Sequence, residues 1–186
     1  MSQFNIIDTP LSGSKVIQRK RIEDSRGFLS RFFSADEFQS LGLENSIVQI
    51  NHTLTRQKGA VRGLHFQYAP HAETKIVSCL SGEVFDVAVD LRKDSPTFLQ
   101  WYGEVLSKEN QLSFFIPQGF AHGFQTLTEN CELIYLHSAT YQKDAEGALN
   151  VLDPKLNINW PLPISDLSER DCNHIYIDKN YQGIVL

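Results

Sequence analysis

Two histidines sit in segments built to expose an imidazole. Pro117-Gln118-Gly119-Phe120-Ala121-His122 reads as P-x-G-x-x-H, in which Pro and Gly make a tight turn that delivers the histidine at its end. His65 lies in Arg62-Gly63-Leu64-His65-Phe66-Gln67. An imidazole titrates near neutral pH, so it serves as a general base or as a metal ligand. A metal reading would draw on His65, His122 and Glu73. Gln67 stands where the second imidazole of an H-x-H pair would be, so no metal is expected. Arg62 and His65 are three apart, and a regular strand would point them to opposite faces. If both line one site, Gly63 marks a bulge or a bend. Lys75 opens an apolar run with Val77 and Cys79 on its face, although a solvated strand-end lysine is the commoner fate of the residue. Tyr135 shares a face with Leu133 and His137. Two carboxylates compete as partners for an imidazole. Asp86 lies on the small-residue face of a strand, and Asp171 stands third after Ser168, where it would equally cap a helical turn.

These side chains need a rigid frame, and the sequence points to β-structure. The 186 residues are enough for one domain with a sizeable core. Short runs rich in Val, Ile, Phe, Thr and Tyr alternate with Gly, Pro, Asn and Asp, the pattern of an all-β sandwich or barrel. In Glu83–Leu91, Phe85, Val87, Val89 and Leu91 fall on one face and Val84, Asp86, Ala88 and Asp90 on the other. Further strands are expected at Lys15–Ile22, Phe28–Phe33, Ser46–Leu54, Lys75–Leu80, Phe98–Leu106, Leu112–Ile116, Gly123–Leu127 and Cys131–Ala139. Helix is confined to a capping box at Ser34-Ala35-Asp36-Glu37, ended by Gly42, and a turn at Ser168. One domain is expected over 1–186, with N-terminal strands in 1–44, a barrel core in 45–140 and a C-terminal wrap in 141–186. A net charge of -5 argues against a nucleic-acid binder. No apolar run approaches a membrane span, and the N-terminus carries no signal-like segment. The odd, scattered Cys79, Cys131 and Cys172 read as reduced thiols in a cytoplasmic protein.

The two histidine segments look like the two halves of a cupin, a double-stranded β-helix or jelly-roll barrel. The chain more specifically resembles the dTDP-4-dehydrorhamnose 3,5-epimerase family. The resemblance rests on Asp24-Ser25-Arg26-Gly27-Phe28, Gln49-Ile50-Asn51-His52, the Arg62–Gln67 segment and Gly82–Asp90. It continues through Ser95–Phe98, Ile116–Phe124, Leu133-Ile134-Tyr135 and Ser168-Glu169-Arg170-Asp171. It implies a cofactor-free epimerase of a nucleotide-linked 4-keto-6-deoxyhexose, inverting C3 and C5 by proton removal and return. Such chemistry needs a positioned base, stabilisation of an enolate oxygen and an acid on the opposite ring face. The resemblance assigns His65 as base, Asp171 as its orienting carboxylate, Lys75 as donor to the keto oxygen and Tyr135 as acid. It assigns Arg26, Arg62 and Arg170 as phosphate or substrate clamps, which suits charged, bidentate guanidinium groups. Gln49, Asn51, His122 and Glu146 match positions that hold nucleotide or sugar. A homodimer is implied, with an N-terminal strand crossing to complete the partner's site. Two departures stand out. Arg31, placed among the substrate-binding positions, replaces a customary glutamate, which makes CDP a rival to dTDP. His137 follows Tyr135 in an altered context, which leaves inversion at one centre only as an alternative. A metal-dependent cupin and a non-catalytic sugar-nucleotide binder are the rivals from other classes.

Overall fold

Period-two stretches of β-branched and aromatic residues become strands throughout the computed structural model, which describes residues 2–43 and 46–186. In chain order they are β1 (Phe4–Asp8), β2 (Lys15–Arg19), β3 (Arg21–Asp24) and β4 (Gly27–Ser30), then helix α1 (Ala35–Gln39). There follow β5 (Gln49–Thr55), β6 (Ala60–Gln67), β7 (Lys75–Ser81), β8 (Glu83–Asp90), β9 (Trp101–Ser107), β10 (Leu112–Ile116), β11 (Phe120–Thr126) and β12 (Cys131–His137). Short strands β13 (Glu146–Ala148) and β14 (Asp166–Leu167) precede helix α2 (Glu169–Cys172). The expected boundary between N-terminal strands and barrel falls on Glu44 and Asn45, outside the described residues.

Two sheets face one another as a jelly roll. One runs β1-β2-β10-β7-β12-β5 and the other β13-β6-β11-β8-β9, with β14 parallel to β6. Val77, Phe114 and Leu133 of the first meet Val84, Ala88 and Phe124 of the second in the barrel interior. The outer faces are covered too. Leu149, Val151, Leu156 and Ile177 of the C-terminal stretch pack on Val87, Val89 and Leu91. Phe38 of α1 and Leu43 pack on Ile17, Ile76 and Phe115. β8 is therefore buried on both faces, and its Asp86 and Asp90 have no solvent exposure. No helix among the described residues is long and apolar enough to cross a membrane. The three cysteines are free, Cys79 and Cys131 in the interior and Cys172 exposed.

Several expected elements are corrected. Lys15–Ile22 breaks at Lys20, because β2 stays in the barrel while β3 leaves it to pair only with β4. Phe28–Phe33 shortens to β4, and Ser46–Leu54 starts three residues later. Phe98–Leu106 starts at Trp101, since Leu99 takes a positive φ of 60° that a strand cannot continue. β11 begins at Phe120, earlier than Gly123. Strands β1, β6, β13 and β14 had no counterpart in the list. The Ser34 side chain makes no cap bond, and Glu37 turns instead to Ser2 and Arg31.

Candidate active site

A cavity of about 780 Å³ opens into the barrel between the sheets, lined by β5, β6, β7, β11, β12, the segment around Tyr141–Glu146 and α2. Its base strand is β6. There, His65 pairs with His122 and Arg62 with Phe124, so two intervening residues on β6 oppose one on β11. This bulge sits at Gly63, whose φ is +139° and where a Cβ would meet the Gly123 Cα at 2.6 Å. Only glycine fits that crossing. Its effect is to turn Arg62 and His65 toward one cavity, against the opposite-face rule for a spacing of three.

His65 Nε2 donates to Asp171 Oδ1 at 2.8 Å when its proton is on that nitrogen, which leaves the lone pair on Nδ1. Asp171 also accepts from His174 Nε2 at 3.0 Å and from the Gly63 amide at 3.4 Å. Burial alone would raise the Asp171 carboxyl. Hydrogen bonds and charge from His65, then the Gly63 amide and His174, outweigh it and hold the group below the usual carboxylate range. The Ser168 hydroxyl fixes its backbone by capping α2, accepting from the Asp171 amide at 3.0 Å. Capping α2 and holding the His65 imidazole are thus both done at Asp171, one by backbone and one by side chain. Asp86 is occupied elsewhere, accepting from His122 Nε2 at 2.8 Å.

Lys75 is 8 % exposed, not a solvated strand end. Its ammonium donates to the His65 carbonyl at 3.2 Å and to Glu73 Oε1 at 3.1 Å. Tyr135 is buried near His122 and stacks on His137, with ring centroids 6.1 Å apart. Burial, and then the Asp86 carboxylate, push its phenol well above its ordinary value, so it stays protonated. His65 and Asp171 thus share one cavity with an ammonium and a neutral phenol, a set able to remove, hold and return a proton.

The cavity also gathers Gln49, Asn51, Arg62, His122, Glu146 and Arg170. Arg62 Nε donates to Thr55 Oγ1 at 3.0 Å, and Arg170 pairs with Glu146 at the mouth. Two expected residues lie elsewhere in their own chain. Arg26 is on the β3–β4 hairpin, 88 % exposed and paired with Asp24, because that hairpin leaves both sheets. Arg31 faces Glu37 at 3.9 Å. The metal donors weighed from sequence disperse as well. His122 goes to Asp86, while Glu73 goes to Lys75 and His137. His65, Asp171 and His174 do converge within 4.8 Å, through hydrogen bonds to one carboxylate oxygen. His174 escaped the sequence reading, although its spacing of three from Asp171 on a helical turn is the signal that finds it. Glu73 was read only as a metal donor, not as the partner of Lys75 two residues on.

Fold and site together define a class: cupin-type jelly-roll isomerases. Residues 8–179 match the family described as dTDP-4-dehydrorhamnose 3,5-epimerase, and the chain belongs to that family. The enzyme of that name from Shigella flexneri is 41% identical over 180 residues, covering 96% of this chain and 99% of its own. The crystal structure of the Elizabethkingia anophelis enzyme superposes with a TM-score of 0.91 at 39% identity, covering 97% of this chain and 100% of its own. The Legionella pneumophila enzyme, in complex with dTDP-4-keto-L-rhamnose, gives 0.90 at 40% identity, covering 98% and 99%.

Proposed function

We propose that this protein epimerises dTDP-4-dehydro-6-deoxy-D-glucose at C3 and C5 to dTDP-4-dehydro-L-rhamnose, using side chains alone. The observation that carries the reading is the His65–Asp171 pair facing a cavity shared with Lys75 and Tyr135, in a chain that matches the family over nearly its whole length. His65 Nδ1 takes a proton from carbon beside the ketone, and Asp171 stabilises the imidazolium that forms. The electron pair moves onto the keto oxygen, where the Lys75 ammonium meets the charge. Tyr135 gives a proton to the opposite face, and the reverse shift of electrons restores the ketone with the centre inverted. Arg62 and Arg170 hold the diphosphate, with Gln49, Asn51, His122 and Glu146 around nucleotide and sugar. Arg31 pairs with Glu37, away from the cavity of its own chain, so its charge gives no reason there to prefer CDP.

The working unit is a homodimer in which the β3–β4 hairpin brings Arg26 to the partner's site. Its support is the exposure of Ile22, Phe28 and Leu29 on that hairpin, of Ile50 and Leu54 along β5 and of Val48 just before it. The free thiols suit the reducing cytoplasm. Proton NMR of the dTDP sugar in heavy water tests the reaction. Wild type incorporates deuterium at C3 and C5, and His65→Ala incorporates none above background. Exchange in His65→Ala at the wild-type rate would remove His65 as the base.

A further inference from the structure

We propose that Glu73 and His137 are positioning residues for Lys75, acting as a bridge that aims its ammonium at the substrate's keto oxygen. The inference rests on the epimerase reading and goes beyond it by giving two unassigned buried groups a task.

The bridge follows from strand register. His137 on β12 and Lys75 on β7 are direct cross-strand partners, so two basic side chains stand side by side on one face. Neighbours of that kind are unfavourable unless an anion joins them. Glu73 supplies it. Its Oε1 lies 3.1 Å from Lys75 Nζ, and its Oε2 accepts from His137 Nδ1 at 2.9 Å. All three side chains are at most 10% exposed. Burial alone would raise the Glu73 carboxyl, but His137 and Lys75 outweigh it and keep the group ionised. The segment carrying Glu73 is itself pinned to the end of β12. The Thr74 amide donates to Ser138 Oγ at 2.8 Å, and the Ser138 amide donates to the Thr74 carbonyl at 3.1 Å.

The number of donors on Lys75 gives the bridge its consequence. An ammonium has three N–H groups. One goes to Glu73 and one to the His65 carbonyl on the base strand. Those two fix the direction of the third, which is left for the cavity. Without Glu73 only the His65 carbonyl holds the ammonium, and the direction of the remaining N–H groups is no longer fixed. Without the His137 donor, the Glu73 carboxylate is free to turn and carries Lys75 with it. Two fixed acceptors, 3.1 and 3.2 Å from its nitrogen, thus convert a flexible lysine into a directed donor.

The test uses deuterium incorporation from the dTDP-4-keto sugar, with kcat and KM measured for the full-length enzyme. Glu73→Gln and His137→Phe each lower kcat by about 10- to 100-fold with KM within about threefold, because a misdirected enolate donor fails mainly in the transition state. His137→Asn, whose amide nitrogen lies close to the lost Nδ1, recovers most of the His137→Phe loss. In a Lys75→Ala background, Glu73→Gln and His137→Phe each change kcat by less than about twofold, because the bridge has nothing left to aim. Losses that multiply undiminished in the Lys75→Ala background overturn the proposal, as does a His137→Phe enzyme with wild-type kcat. Thermal unfolding and dTDP affinity report whether each variant folds. If Glu73→Gln does not, the two His137 variants carry the same test. An inactive wild type would sink the epimerase reading and this proposal with it, whereas an active wild type with fully additive losses sinks this proposal alone.

Discussion

The Asp171 carboxylate takes donors from two imidazoles and a backbone amide, and this saturation sets both its charge and its geometry. On the proposed mechanism, Asp171→Asn keeps the shape but loses the charge that would stabilise the imidazolium and select the His65 tautomer. Its kcat falls by about 10²- to 10⁴-fold with a nearly unchanged KM, the range that general-base catalysis and base-orienting carboxylates span elsewhere. The same group has a stability signature. Its carboxyl is held below the usual range in the folded state, so its stabilisation is present above the unfolded carboxyl value and is lost as pH falls through the folded one. Glu73 acts in the same direction. Asp86 acts oppositely. Burial raises its carboxyl, with His122 and Lys75 opposing, so its contribution is present at low pH and lost as pH rises. Thermal midpoints measured from pH 6 to pH 3 should fall for wild type, and fall less steeply for Asp171→Asn. Equal slopes would count against an ionised, stabilising Asp171. Tyr135→Phe isolates the second proton transfer. Abstraction by His65 continues, so substrate still exchanges hydrogen with solvent, while inverted product at the centre Tyr135 serves forms at least about tenfold more slowly.

At the scale of elements, β6 does the most to build the site. Its bulge rests on Gly63, where positive φ and a backbone neighbour at 2.6 Å both forbid a side chain. Gly63→Ala should therefore cost about 2–4 kcal/mol in chemical denaturation and remove activity together with stability, since His65 and Arg62 share the distortion. A denaturation midpoint close to wild type would mean that β6 tolerates a regular register. Much of this element was legible. The spacing of three between Arg62 and His65 demanded a break, and the glycine between them supplied it. The strand itself went unread because the bulge interrupts the alternation by which strands are recognised. β1 was hidden for a related reason. It is a sheet edge paired only with β2, and after Phe4 it keeps an exposed, mixed face with little apolar pattern. The cavity-lining Lys75 and Tyr135, on regular strands, were readable by face and resemblance. Glu73 went unread as the partner of Lys75 because its second contact, to His137, comes from another strand 64 residues on, whereas His174 meets Asp171 at a local spacing of three that a helical pattern encodes.

The whole molecule raises the question of where Arg26 works. Its hairpin belongs to neither sheet and exposes Ile22 at 57%, Phe28 at 50% and Leu29 at 69%. The open edge strand β5 adds Ile50 and Leu54, and Val48 stands just before it. Apolar side chains along an unpaired strand edge invite another strand or another chain to cover them. In the proposed homodimer a second copy would do so symmetrically, and exchange of hairpins would carry each Arg26 across the two-fold axis. Sedimentation should then give about twice the chain mass of 21.2 kDa. Arg26→Ala should raise KM by about tenfold or more, the loss expected for one charge-assisted contact to phosphate. Mixing variants shows which subunit's arginine a site uses. His65→Ala dimers are inactive, and Arg26→Ala dimers are impaired. After subunit exchange at equal amounts, half the dimers are mixed. In each, the site with an intact His65 receives an intact Arg26 from its partner, so about a quarter of all sites regain wild-type kcat/KM. If Arg26 served its own chain, mixed dimers would hold no complete site and mixing would restore nothing.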